Sequence, residues 1–137
     1  MEDLLQKIAL EHRALRGLAS QLSRDLEGGD KASATGTLHT LAQRFRTCVR
    51  DREERLLPRL EELTGIGALT RAAAVRSEHR VLLDLLGIVE KSVSRGDLVV
   101  AAIDLKELLA ALELHLRKEE GIADLLHKNR TRRTASG

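Results

Sequence analysis

Residues 105–126 read LKELLAALELHLRKEEGIADLL. Leu105, Leu108, Leu112, Ile122 and Leu126 recur at steps of three and four, the spacing of one face of an α-helix, and the slots that complete the series are His115 and Glu119. At i and i+4 the two side chains lie about 40° apart around the axis and one turn apart along it, so both reach one point. A histidine and a carboxylate in the middle of an apolar face are expensive to bury unless an ion, a metal or a partner meets them. The rest of the chain must supply that answer.

Upstream, Leu5, Ile8, His12, Leu15, Ala19, Leu22 and Leu26 repeat the spacing and predict a first helix from about Glu2 to Glu27, with His12 facing inward. Gly28, Gly29 and Asp30 supply a C-terminal stop and a new N-cap. The second helix carries Leu38, Leu41 and Phe45, then Cys48 and Arg52, then Leu56, Leu60 and Leu63, and Pro58 inside this pattern predicts a kink or break. The sequence TGIGAL around Gly65 and Gly67 marks the next turn. A third helix from about Leu69 to Ser94 turns Ala72, Val75, His79, Leu82, Leu86, Val89 and Val93 inward. After Arg95-Gly96-Asp97 the fourth helix runs to about Lys128, and residues 130–137 read as a disordered basic tail beyond a single domain of residues 1–129.

The composition agrees with this pattern. In 137 residues there is one Phe, no Tyr and no Trp, while Leu, Ala, Arg and Glu dominate, as in helical bundles. The fold class is therefore all-α, an antiparallel up-and-down four-helix bundle, because short connections force neighbouring helices to run in opposite directions. The net charge of +2, with both signs interspersed, does not mark a nucleic-acid surface. No apolar run is long enough to span a membrane, and no cleavable leader is evident, so a cytoplasmic protein, monomeric or homodimeric, is the expectation.

Counting residues from each turn brings His12, Cys48 or Arg52, His79, and His115 with Glu119 to one axial level, within a few ångströms at ~1.5 Å per residue. Taken singly, His12 or His79 reads as a core histidine bonded to a neighbour. Three imidazoles and a carboxylate converging inside a bundle read as a metal site, since imidazole suits iron, zinc, copper and nickel and the carboxylate adds anionic charge. His39 and His127 fall outside this layer. Cys48 reads as a small buried hydrophobe or, from its place in the layer, as a thiolate ligand. The layer holds no Ser or Thr to act as a nucleophile.

The chain resembles the haemerythrin-like, or HHE, cation-binding domains. Glu11-His12 followed by RALRGL is similar to the family's first element, Glu78-His79-Arg80 with VLLDLL to the third, and His115-Leu-Arg-Lys-Glu119-Glu120 to the fourth. Glu53-Glu54-Arg55-Leu56-Leu57-Pro58 is similar to the acidic run before the family's proline. The resemblance implies a metal site of His12, His79, His115 and Glu119; Glu53, nearer the apolar face of the second helix than Glu54, is the one local carboxylate to set beside them. It implies one or two non-haem iron ions and a small diatomic ligand, oxygen or nitric oxide, or peroxide, bound or sensed, with weak oxidase or peroxidase-like turnover at an open metal position. The second helix departs from the family pattern. Cys48 and Arg52 stand where His and Glu are expected, which depletes one of the two metal positions. A second reading stays open beside the first: a metal-free structural or interaction bundle in which Arg52 pairs with Glu119 across the core.

Overall fold

The computed structural model describes residues 2–63 and 66–136, with side chains for residues 5–63 and 67–128. Four helical rods form one bundle. The first is α1 (Glu2–Glu27), and the second is built from α2 (Lys31–Asp51), a π turn (Arg52–Leu56) and α3 (Leu57–Glu62). The third is α4 (Ile66–Ser94) and the fourth α5 (Leu98–Ser136). α1 packs on α2 and α5, and α4 packs on α2 and α5, so each long rod has two neighbours around a common core.

The turns follow the local chemistry. Gly29 and Gly96 adopt φ of +68° and +76°, the left-handed conformation that favours glycine. Asp30 caps α2 by accepting from the Ser33 amide at 3.0 Å, and Asp97 accepts from the Val100 amide at 3.2 Å at the start of α5. Each hairpin is also tied across its base, Thr37 donating to Asp25 at 2.7 Å and Ser92 to Asp104 at 2.8 Å. Of the TGIGAL turn, Thr64 and Gly65 lie outside the described residues, and Gly67 belongs to the first turn of α4.

Two outcomes differ from the sequence expectation. Pro58 interrupts the α-helical pattern of the second rod through a π turn rather than an open break. It has no N–H to donate to the Glu54 carbonyl, and the chain accommodates it by widening the preceding turn, in which the Leu57 amide bonds to the Arg52 carbonyl five residues back. Helix α3 then restarts with Pro58 in its first turn, a position that needs no donor. The fourth helix also does not stop near Lys128 but continues to Ser136, since no Gly or Pro interrupts residues 122–136 and its arginines are good helix formers.

The core is divided in two along the bundle. A larger apolar cluster contains Leu15, Leu22, Leu41, Phe45, Val49, Leu82, Leu86, Leu105 and Leu112. A smaller one contains Ile8, Leu56, Leu57, Leu60, Val75 and Ile122. In α1 the two clusters are separated by His12, in the second rod by Arg52, in α4 by His79, and in α5 by His115 and Glu119, all buried. The apolar clusters on both sides wall this layer off from bulk water.

Candidate metal centre

Glu119 is the hub of the layer. Its Oε1 accepts from Arg52 Nε at 3.0 Å and lies 3.1 Å from His12 Nε2. Its Oε2 lies 2.8 Å from His115 Nε2 and 3.5 Å from His79 Nε2. The helical faces inferred from the sequence thus deliver all four residues to one point, and the two oxygens of one carboxylate divide them into two pairs. Burial pushes the Glu119 carboxyl up, but hydrogen bonds from His115, His12 and His79 outweigh it and hold the group well below the usual carboxylate range.

Each ring faces a second acid on its other side, and two of the three rings are bonded to it. His12 Nδ1 is 2.8 Å from Glu120 Oε2, and His115 Nδ1 is 2.9 Å from Glu78 Oε1. His79 Nδ1 is 3.5 Å from Glu53 Oε1 without forming a hydrogen bond. Basic residues steady two of these outer acids, Arg16 donating to Glu120 at 3.1 Å and Lys118 to Glu78 at 2.6 Å. A neutral imidazole has one N–H and cannot donate to two carboxylates at once. A ring set between two acids must therefore be an imidazolium or must place a cation against its bare nitrogen. For His115, burial favours the neutral form, but the Glu119 hydrogen bond and charge, reinforced by Glu78, raise its pKa above the ordinary value.

Arg52 brings its own counter-charges. It is fully buried, and beyond Glu119 it donates to Glu11 at 2.6 Å and to Asp51 at 3.0 Å. The Cys48 thiol donates to Glu11 at 3.3 Å rather than pointing at the histidines. Burial first, and then the charge of Glu11, push this thiol up to about 12, so it stays protonated at neutral pH.

The donor set on the Oε2 side suits a metal ion. One ligand atom each from His79, His115 and Glu119 lies within 4.8 Å of the others. Ligands to one ion at the usual ~2.0–2.2 Å stand roughly 3 Å apart from one another, close to the 2.8 and 3.5 Å separations of the two ring nitrogens from Oε2. His12 stands on the opposite oxygen beside Arg52, and Glu53 stands outside the cluster on the far side of the His79 ring. Of the remaining histidines, His39 and His127 are exposed, away from the layer.

Sequence reasoning missed the outer acids Glu11, Glu78 and Glu120. Each is a sequence neighbour of an inward residue, namely His12, His79 and Glu119. At ~100° per residue a neighbouring position points around the helix toward the next rod, where these acids meet Arg52, His115 and His12 in turn. An acid beside each of these three inward residues was the signal that could have found them.

Among the described residues no helix is long and apolar enough to cross a membrane. Comparison with curated proteins and with solved structures finds no match. The sequence profile of the hemerythrin HHE cation binding domain matches residues 3–124, which span all four rods and every member of the polar layer. A bundle of the expected topology, an inward His on each of α1, α4 and α5, and this match lead to one conclusion: the chain belongs to the hemerythrin HHE cation-binding domain family.

Proposed function

We propose that the protein holds one metal ion, iron by family resemblance, against His79, His115 and the Oε2 side of Glu119, and binds or senses a small ligand there. The observation that carries this reading is the buried His115 ring set between Glu78 and Glu119, with His79 beside it on the same Glu119 oxygen. That arrangement leaves an unprotonated Nε2 facing Glu119 whenever Nδ1 keeps the proton and donates it to the outer acid, and a cation relieves the resulting repulsion. His79, His115 and Glu119 would hold the ion, which when bound would supply affinity for oxygen, nitric oxide or peroxide. The chain's own residues do the rest. Glu78 and Glu120 fix ring orientation, the apolar clusters exclude water, and Arg52 sits on the Oε1 side as a permanent cation where a second ion would otherwise stand.

The 3.0 Å bond between Arg52 and Glu119 also favours a second reading, the metal-free bundle, in which Arg52 and protonated histidines together neutralise Glu119. Anaerobic titration of chelator-stripped protein with ferrous ion, followed by nitric oxide, separates the two. The metal reading predicts saturable uptake with a nitrosyl absorbance in the wild type and in His39→Ala, and loss of both in His115→Ala, together with a lower melting temperature. Absence of uptake by the wild type, or equal uptake by His115→Ala, contradicts it.

A further inference from the structure

Among the described residues one buried side-chain polar atom has no hydrogen-bond partner, and it is His79 Nδ1. The His79 ring is held loosely at both ends, 3.5 Å from Glu119 on one side and 3.5 Å from Glu53 on the other. The corresponding outer contacts of His12 and His115 are closed, at 2.8 and 2.9 Å. An orphaned buried nitrogen is an unfavourable state that native structures avoid, with a penalty comparable to a lost hydrogen bond.

The group placed to relieve it is Glu53. It lies on the π turn that precedes Pro58, and widened turns of this kind recur at functional sites. Its side chain is 39% exposed, in contrast to the His79 ring at 2%, so the carboxylate has room to shift while the ring is fixed in the core. Arg76 of α4 lies near enough to feel its charge.

We infer that Glu53 is the positioning residue of His79: with metal on Nε2, its carboxylate closes onto Nδ1–H and completes a third histidine–carboxylate pair beside Glu120–His12 and Glu78–His115. This rests on the metal reading above, and it moves Glu53 from the ligand set, where its place near the apolar face of the second helix put it, to the outer side of a ligand. Such outer acids orient the ring, fix which nitrogen carries the proton and raise its basicity toward the ion.

The test uses the full chain, stripped with a chelator and titrated with zinc, a diamagnetic probe, in competition with a chromophoric chelator. Glu53→Ala is expected to weaken zinc binding about 10- to 100-fold, Glu53→Gln to recover part of that loss, and Glu54→Ala to change nothing. The zinc-free melting temperatures of all three variants stay close to wild type. In nitrogen-15 spectra of the zinc-loaded wild type, His79 shows a downfield, slowly exchanging Nδ1 proton that Glu53→Ala loses. Equal zinc affinity in wild type and Glu53→Ala overturns the role of Glu53 while leaving the metal site standing. Failure of the wild type to bind zinc or iron overturns the metal reading, and the role of Glu53 with it.

Discussion

The second and fourth rods each offer a pair of side chains at i and i+4 to the same level of the bundle, and they fill it in opposite ways. On α5 the pair is His115 and Glu119, a nitrogen ligand and an anion, both buried and bonded to each other at 2.8 Å. On the second rod it is Cys48 and Arg52, a neutral thiol and a cation. The difference shows that the layer needs positive charge against Glu119 but not the same source of it on both oxygens. Arg52 is a cation that cannot leave, neutralised by Glu11 and Asp51 as well as by Glu119. The Oε2 side is lined by two imidazoles, His79 and His115, which with Glu119 form a group that could hold a metal ion.

The largest break in this comparison is Arg52→Met. In chelator-treated protein it leaves Glu119 without its fixed counter-charge and should cost about 3–5 kcal/mol of unfolding free energy near neutral pH. With metal loaded, the ion neutralises the carboxylate and the same substitution should be mild, with tighter metal binding because a nearby cation is gone. Denaturant midpoints with and without chelator read both values. A large loss that chelator does not alter would assign the layer to the metal-free salt bridge.

Why some of this was legible in the sequence, and some not, follows from the range of each interaction. The three- and four-residue spacing of apolar positions put His12, Arg52, His79, His115 and Glu119 inside, because a helix face is a local property. The second-rod register, with Cys48 and Arg52 opposite His115 and Glu119, also followed from local counting, since the π turn begins only at Arg52. The π turn itself was not legible: Pro58 announces a lost hydrogen bond but not whether the chain kinks, breaks or widens. Nor was the choice of outer acids, because Glu11 reaches Arg52 and Glu78 reaches His115 across rods, at separations set by packing rather than by sequence distance. The division of ligands between the two oxygens of Glu119 is finer still and depends on rotamers.

A smaller effect sharpens the contrast between fixed and exchangeable charge through pH. The raised pKa of His115 means that, without metal, its contribution to stability is complete below about 6.5, the ordinary histidine value, and is lost as pH rises through the higher folded value. The lowered pKa of Glu119 contributes stability that is complete above the ordinary carboxylate value and is lost only in strong acid, as pH falls through the folded value. Chelated protein should therefore lose stability on going from pH 6.5 upward. Metal competes with protons for the same nitrogens, so metal binding strengthens over that range. The gap in denaturant midpoint between loaded and chelated protein should widen with pH, and a gap that stays flat would mean the metal does not share the histidines with protons.

The account turns on Arg52 standing in for one ion of a pair, and metal stoichiometry tests that most directly. Elemental analysis of protein from iron-supplemented cells should give one metal per wild-type chain, rising toward two in Cys48→His with Arg52→Glu, where the second rod regains an imidazole and a carboxylate. Two ions in the wild type, or none in either protein, would contradict it.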